Sequence, residues 1–376
     1  MKKKVLHIVE AFGGGVFTFL VDLANATCDE YEVVLACSIR PQTPMDYKSY
    51  FNKKVRIIEL QSGTRDISLL EDLKSFIEIK RLIKNEKPDI VHLHSSKSGF
   101  LGRMACNEKK MKVLYNPHGF SFLKQDESNI KKSIYKGLEY IAAKKCGSII
   151  AVSKGEYEEA LKLSRKSYLI NNGIDITTLP KLEEKKIDIN NLKICTIGRI
   201  SYQKNPAMFN EIAKRLPNIK FTWIGKGEME DILDSSNITI TGWMNKNEAV
   251  KIMNDSDIFI LTSLWEGLPI ALLEAMYYKK LCIVTNCIGN RDVIVNDENG
   301  FIANNVNEFS DILYKVLKNE IDIEKVKKNA FNNIMEKYNF NLVAKKYSKL
   351  YRGIGKVYEY IPDKSEKENI NLRDII

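Results

Sequence analysis

Short apolar runs alternate along this chain with stretches whose apolar residues recur at helical spacing, and the alternation restarts halfway. Residues 5–9 read as a buried strand, Gly13-Gly14-Gly15 as a loop and residues 16–26 as a helix. Strands at 31–37 and 55–60 follow. A helix at 69–85 is marked by apolar residues at 69, 70, 73, 76, 77 and 79, and strands at 89–93, 112–116 and 148–152 complete the first half. Residues 181–192 are polar, of mixed charge and without a clear apolar face, which predicts a connection. Beyond it come strands at 193–197, 219–224, 237–241, 257–261 and 281–285, with helices at 206–215, 245–254 and 270–278.

This βαβ rhythm predicts an α/β protein of two doubly wound, Rossmann-like domains facing each other across a cleft. Their expected spans are 1–180 and 193–343, joined by 181–192. Residues 344–376 are expected to form a C-terminal helix (344–351) and a loose tail, charged at 364–371. A length of 376 residues suits two domains, on a prior of roughly 100 to 200 residues each.

Open sheets bind ligands at the carboxyl ends of their strands, where helix N-termini offer free N–H groups and a favourable dipole to phosphate. Trp265-Glu266-Gly267-Leu268-Pro269-Ile270-Ala271-Leu272-Leu273-Glu274 falls at such an edge, with Glu266 in the loop and Glu274 about one turn inside the next helix. A solvated Glu266 and a first-turn Glu274 favoured by the dipole would give the same pattern. Gly198-Arg199 and Lys204 lie between a strand and a helix at the same edge, where two cations can clamp a diphosphate. Gly225-Lys226-Gly227 and Gly242-Trp243-Met244 follow two further strands, and backbone groups near Gly242 to Met244 are placed to hold a base.

The ordered set resembles the retaining GT-B glycosyltransferases of family GT4, with their two glutamates eight positions apart. Gly198-Arg199 with Gln203-Lys204-Asn205, the Gly225 turn and Glu266 to Glu274 carry the resemblance in the second domain. Gly13-Gly14-Gly15, Pro117-His118-Gly119-Phe120, Val152-Ser153 and Asn171-Asn172-Gly173-Ile174-Asp175 carry it in the first. The run from His92 through His94, Lys97 and Arg103 resembles the subgroup that builds bacterial surface polysaccharides on lipid carriers, so these three, His94, Lys97 and Arg103, are taken as acceptor-side.

The resemblance implies transfer, with retention, from a nucleoside-diphosphate sugar, most simply a UDP-sugar, to a hydroxyl of a lipid-linked saccharide. It implies that Arg199 and Lys204 bind the diphosphate, with amides of Gly14 and Gly15 approaching from the other domain. Glu274 would hold the ribose; Glu266, with the backbone at Gly267 and Leu268, the sugar, Ile270 counting among the donor-binding residues; His118 would contact that sugar near the reacting carbon. Gly198, Gly225, Gly242, Trp243 and Met244 would complete the donor site. Tyr277-Tyr278-Lys279-Lys280 and Cys287-Ile288-Gly289-Asn290-Arg291-Asp292 depart from the family pattern. A nucleotide-sugar epimerase or phosphorylase of the same layout, or a non-catalytic partner in a polysaccharide complex, are the competing classes.

Charge adds one element. Of the net +10, the window 97–145 carries +7, with 11 Lys/Arg against four acids. Within it Ile130, Ile134, Leu138 and Ile141 lie near one helical stripe flanked by lysines, which predicts peripheral docking at an anionic cytoplasmic membrane face; packing of the stripe into the core is the alternative. No aromatic-interleaved basic motif supports nucleic acid. No apolar run approaches the about 20 residues of a membrane span. Seven scattered cysteines without a C-x-x-C pair fit a reducing compartment. All four histidines lie in the first half; His92 and His94 are expected on opposite faces of a strand, so one metal site using both is not expected, and the resemblance implies transfer without a metal or other cofactor.

Overall fold

The computed structural model describes residues 2–62, 68–182 and 187–353. The first domain holds β1 (Lys4–Phe12), α1 (Gly14–Thr27), β2 (Glu32–Ile39), β3 (Arg56–Glu59), α2 (Leu69–Glu86), β4 (Ile90–His94), α3 (Ser96–Ala105), β5 (Lys112–Asn116), α4 (Asn129–Lys145), β6 (Ser148–Ala151), α5 (Lys154–Leu163) and β7 (Ser167–Leu169). The second holds β8 (Lys193–Ile197), α6 (Pro206–Arg215), β9 (Lys220–Ile224), β10 (Ile238–Ile240), α7 (Lys246–Asp255), β11 (Ile258–Leu261), α8 (Ile270–Tyr277), β12 (Leu281–Thr285), α9 (Asn290–Val293), β13 (Phe301–Ala303), α10 (Val306–Leu317) and α11 (Ile323–Asn333). After a π-helical turn at Ile334–Tyr338 comes α12 (Phe340–Arg352).

The strands order as β3-β2-β1-β4-β5-β6-β7 and β10-β9-β8-β11-β12-β13, with every paired neighbour parallel. Both sheets reverse their winding beside their first strand, between β1 and β4 and between β8 and β11. Those switch points are where a doubly wound sheet opens a crevice. The strands β4, β11 and β12 are buried end to end, which is why β11 and most of β12 read as continuous apolar runs.

The helix expected in the tail starts earlier, at Phe340, and packs on the first domain. Ile174 bridges Asn339, Tyr351 packs edge-on to Tyr31 at 5.4 Å, and Arg352 Nε donates to Glu30 Oε1 at 2.6 Å. The chain thus crosses the cleft twice, at the connection and again before α12. The 364–371 segment lies outside the described residues.

Candidate functional site

Gly13, Gly14 and Gly15 form a shorter loop than expected. Gly13 caps α1 and the other two begin it, so the first free N–H groups of the helix point past the end of β1. A Cβ on Gly15 would stand 3.8 Å from Ile270 Cδ1, at the start of α8. Two helix N-termini, one from each domain, therefore meet across the cleft. Pro269 caps α8 without an N–H, and the Ile270 and Ala271 amides have no intrahelical partner.

Around these termini the second domain pairs its own charges. Lys204 Nζ lies 2.6 Å from Glu266 Oε1, both well covered. Arg199 Nε lies 2.8 Å from Glu228 Oε2 with a third of the side chain exposed. Glu274 is buried in the second turn of α8 and meets Lys246 Nζ at 3.2 Å. Lys246, at the start of α7, carries no motif and was not singled out by the sequence. Burial lowers its proton affinity, but Glu274 and then Asp22 of the first domain more than offset this, leaving its pKa raised. Burial lifts the Asp22 carboxyl to about 7 against the pull of Lys246. Gly242 bridges Gly225, Met244 is half-buried, and Trp243 is 54 % exposed beside them.

The two domains touch through glycine. A Cβ on Gly267 would come within 3.0 Å of Gly119 N and 3.1 Å of His118 C in the first domain, and, within the second domain, one on Gly289 within 2.6 Å of Gly267 O. Gly289 also holds a φ of 86°, so a side chain there is excluded twice over, and Gly119 holds a φ of 99°. Gly155 N donates to Asp292 Oδ2 at 2.9 Å, joining the domains beside this contact. Glu156, buried, accepts from Gly119 N at 2.6 Å and Val152 N at 2.7 Å and so fixes the His118 loop. Burial raises its carboxyl to about 7. The one short-range signal for Glu156 is its place three residues after the Ser153 cap, the S-x-x-E pattern of a helix start, which does not tell that its carboxylate reaches Gly119.

Three expectations fail. Arg103 is fully buried: its guanidinium pairs with Glu139 and lies 4.2 Å over the Tyr115 ring, so it supports α3 and α4 and meets no acceptor. The cause is close packing of α3, where a Cβ on Gly99 or Gly102 would come within 2.1 Å of Tyr115 or 2.3 Å of Leu93. His94 is fully buried as well, whereas Lys97 is mostly covered and salt-bridged to Asp72 at 2.6 Å, an ion pair of the same kind as that of Lys204 with Glu266. Finally, His92 and His94 share a face, because residues two apart in a strand do; their ring centroids lie 4.2 Å apart. His7, His92 and His94 each bring a ring nitrogen within 4.8 Å of the others, a group close enough to hold an ion.

The family departures also find local reasons. Lys280 Nζ donates to Asn254 O at 2.6 Å and Ser256 O at 2.8 Å, capping α7, and Asp292 makes the interdomain bond to Gly155.

Residues 13–178 match the family model described as Glycosyltransferase Family 4, and residues 180–333 that of Glycosyl transferases group 1. The chain is 31% identical over 353 residues to an Escherichia coli UDP-Gal:alpha-D-GlcNAc-diphosphoundecaprenol alpha-1,3-galactosyltransferase, covering 86% of this chain and 89% of the relative. It is 25% identical over 334 residues to the Staphylococcus aureus capsular polysaccharide biosynthesis glycosyltransferase CapM, covering 81% and 87%. Sucrose-phosphate synthase from Thermosynechococcus elongatus shares the fold at a TM-score of 0.80 and 15% identity, covering 94% of this chain and 99% of that one.

Proposed function

Because this chain belongs to the retaining GT-B glycosyltransferases of family 4, we propose that it moves a sugar from a UDP-sugar to the saccharide of a lipid-linked diphosphate in surface-polysaccharide synthesis. One observation carries the residue assignments: the facing N-termini of α1 and α8, flanked by two ion pairs that a donor can replace. The amides of Gly14, Gly15 and Ile270 and the cations Arg199 and Lys204 take the diphosphate. Lys204 leaves Glu266 for phosphate, and Glu266, with the backbone of Gly267 and Leu268, turns to the sugar hydroxyls. Glu274 takes the ribose, and backbone from Gly242 to Met244 the base. His118, half-buried beside Gly267, contacts the transferred sugar.

In this reading the acceptor hydroxyl attacks the face that the diphosphate leaves, and the departing phosphate takes its proton. Positioning and fixed charge then lower the barrier, and neither glutamate acts as a nucleophile. The reading is tested by offering a panel of nucleotide sugars and following slow donor hydrolysis without acceptor. Turnover of one UDP-sugar supports it; interconversion of free nucleotide sugars, or no turnover of any, overturns it.

Side-chain cations serve the leaving group here, so activity is expected to persist in EDTA. Loss on chelation, restored by Mg²⁺ or Mn²⁺, would contradict this.

Docking at an anionic leaflet is supported by α4, whose Ile130, Ile134 and Ile141 are 74%, 52% and 54% exposed between lysines rather than packed in the core. No helix among the described residues is long and apolar enough to cross a membrane. Each basic residue at such a surface is worth about 1 kcal/mol. Sedimentation with anionic but not neutral liposomes is expected, weakened by salt and by replacing Lys131, Lys132 and Lys136 with Glu. Equal binding by the triple variant would exclude this face.

A further inference from the structure

The four histidines form one array, with His7, His92 and His94 fully buried behind the loop that carries His118, and the established chemistry of the family leaves most of it unused. His118 Nε2 lies 3.1 Å from His94 Nδ1, and His94 Nε2 lies 3.0 Å from His7 Nδ1. His94 and His118 are stacked with ring planes 19° apart, and Phe19 packs edge-on to His118 at 4.8 Å. Beyond His94 the line ends, because His7 Nε2 is buried with no hydrogen-bond partner. At the other end, His118 is half-buried, and its backbone meets Gly267 across the cleft.

Burial holds all four rings neutral. The pKa of His118 falls to about 3 and that of His92 to about 4, while His7 and His94 lie well below the ordinary value. A neutral imidazole has one N–H. His94 bonds to another imidazole through each nitrogen, so it donates with one and accepts with the other, and only two arrangements of the line exist. In one, His7, His94 and His118 all carry Nδ1–H, and each of the first two donates toward the cleft. In the other, all three carry Nε2–H and the bonds run inward. The second arrangement ends in a buried His7 Nε2–H with nothing to receive it. The first leaves only a bare lone pair there, and orphaned buried N–H groups are the rarer of the two defects.

His92 stands outside the line. Asn116 Nδ2 donates to Ile150 O at 2.9 Å, which turns Asn116 Oδ1 toward His92 Nε2 at 2.6 Å. His92 is therefore the Nε2–H form and accepts from the Tyr351 hydroxyl at Nδ1, 2.7 Å away. With both nitrogens engaged, it has no lone pair free for an ion shared with His7 and His94.

We propose that His7 and His94 are positioning residues that lock His118 in the Nδ1–H tautomer, so that its ring offers the cleft a hydrogen-bond donor and not a lone pair. An isolated side chain favours the opposite tautomer, and the bond made by one ring nitrogen decides the state of the other. A donor suits a hydroxyl oxygen of the transferred sugar, which it can hold in place without drawing electron density from the ring oxygen as positive charge develops at the reacting carbon. The consequence for turnover rests on the contact between His118 and the transferred sugar proposed above.

Four histidines in the whole sequence make the test direct. The full-length protein is labelled with [¹⁵N]histidine, and its eight ring nitrogens are read by long-range ¹H–¹⁵N correlation, with single substitutions for assignment. Three Nδ1–H patterns and one Nε2–H pattern, the latter from His92, are expected. Four Nε2–H patterns would overturn the proposal. So would a stoichiometric metal in the purified protein with shifted His7, His92 and His94 nitrogens. His94→Phe keeps a ring but cannot donate; the bond that fixes the His118 tautomer is then lost, so its Nδ1–H fraction should fall and kcat with it, by up to about tenfold, the worth of one hydrogen bond, at unchanged donor affinity. His94→Asn, which places an amide N–H near the lost Nδ1, should recover most of that loss. Parental kcat in His94→Phe with the Nδ1–H fraction lowered would sink the mechanistic role. Parental turnover in His118→Ala would instead remove the sugar contact, leaving the tautomer to the spectrum.

Discussion

Glu274→Ala is expected to raise the dissociation constant of free UDP about ten- to a hundredfold, because a charge-assisted contact is worth roughly 1.5 to 3 kcal/mol. Without donor, the buried carboxylate already has a partner in Lys246 at 3.2 Å. The substitution therefore removes the ribose acceptor and leaves the Lys246 ammonium to Asp22 and Asp175. Arg199→Ala should fall at the low end of the same range, since its guanidinium is a third exposed and shared with Glu228. Glu266→Ala should chiefly lower turnover, as it touches the sugar and free UDP lacks one. Titration calorimetry with UDP separates these cases. Undiminished affinity in Glu274→Ala would remove the ribose assignment.

The largest loss of stability is expected from Glu139→Ala. It strands the Arg103 guanidinium inside the first domain, and breaking one half of a buried pair costs about 3 to 5 kcal/mol. Tyr115 loses its acceptor as well, its hydroxyl lying 2.7 Å from Glu139 Oε1. Replacing both charges, as in Arg103→Leu with Glu139→Leu, should recover a large part of this loss, because no unpaired charge then remains. Denaturant unfolding of the three proteins, followed by a probe in the first domain, measures it. If Glu139→Ala unfolds at the parental midpoint, the pair does not support α3 and α4. The donor affinity of the second domain should change little in either variant.

What the chain states locally, it states well. Apolar runs of about five residues between Gly-rich turns set both sheets, because parallel strands covered on two faces need apolar side chains at every position. The loops at their ends are legible for the same reason: Gly198-Arg199, Gly225, Gly242 and Glu266-Gly267 break the pattern where a strand stops. The edge strands Ser167–Leu169 and Phe301–Ala303 escaped notice, being too short to show a period. Helix α3 also escaped, since its contact face is built of glycines and carries little apolar signal.

Only the tertiary structure decided which of these residues meet. Lys204 and Glu266 are 62 positions apart, Arg103 and Glu139 are 36, and His7 and His94 are 87. Parallel strands need crossovers, so neighbours in such a sheet are distant in sequence, and each pairing depends on strand order and register. Register also set the histidines: His7 and His92 are direct partners across β1 and β4, and His94 follows two residues on along the same face. The same geometry turned Arg103 inward, drew Lys246 onto Glu274 and brought Phe340–Arg352 back onto the first domain. The sequence by itself determined the two sheets and the ends of their strands; packing between elements far apart in the chain decided which charges face the cleft and which support it.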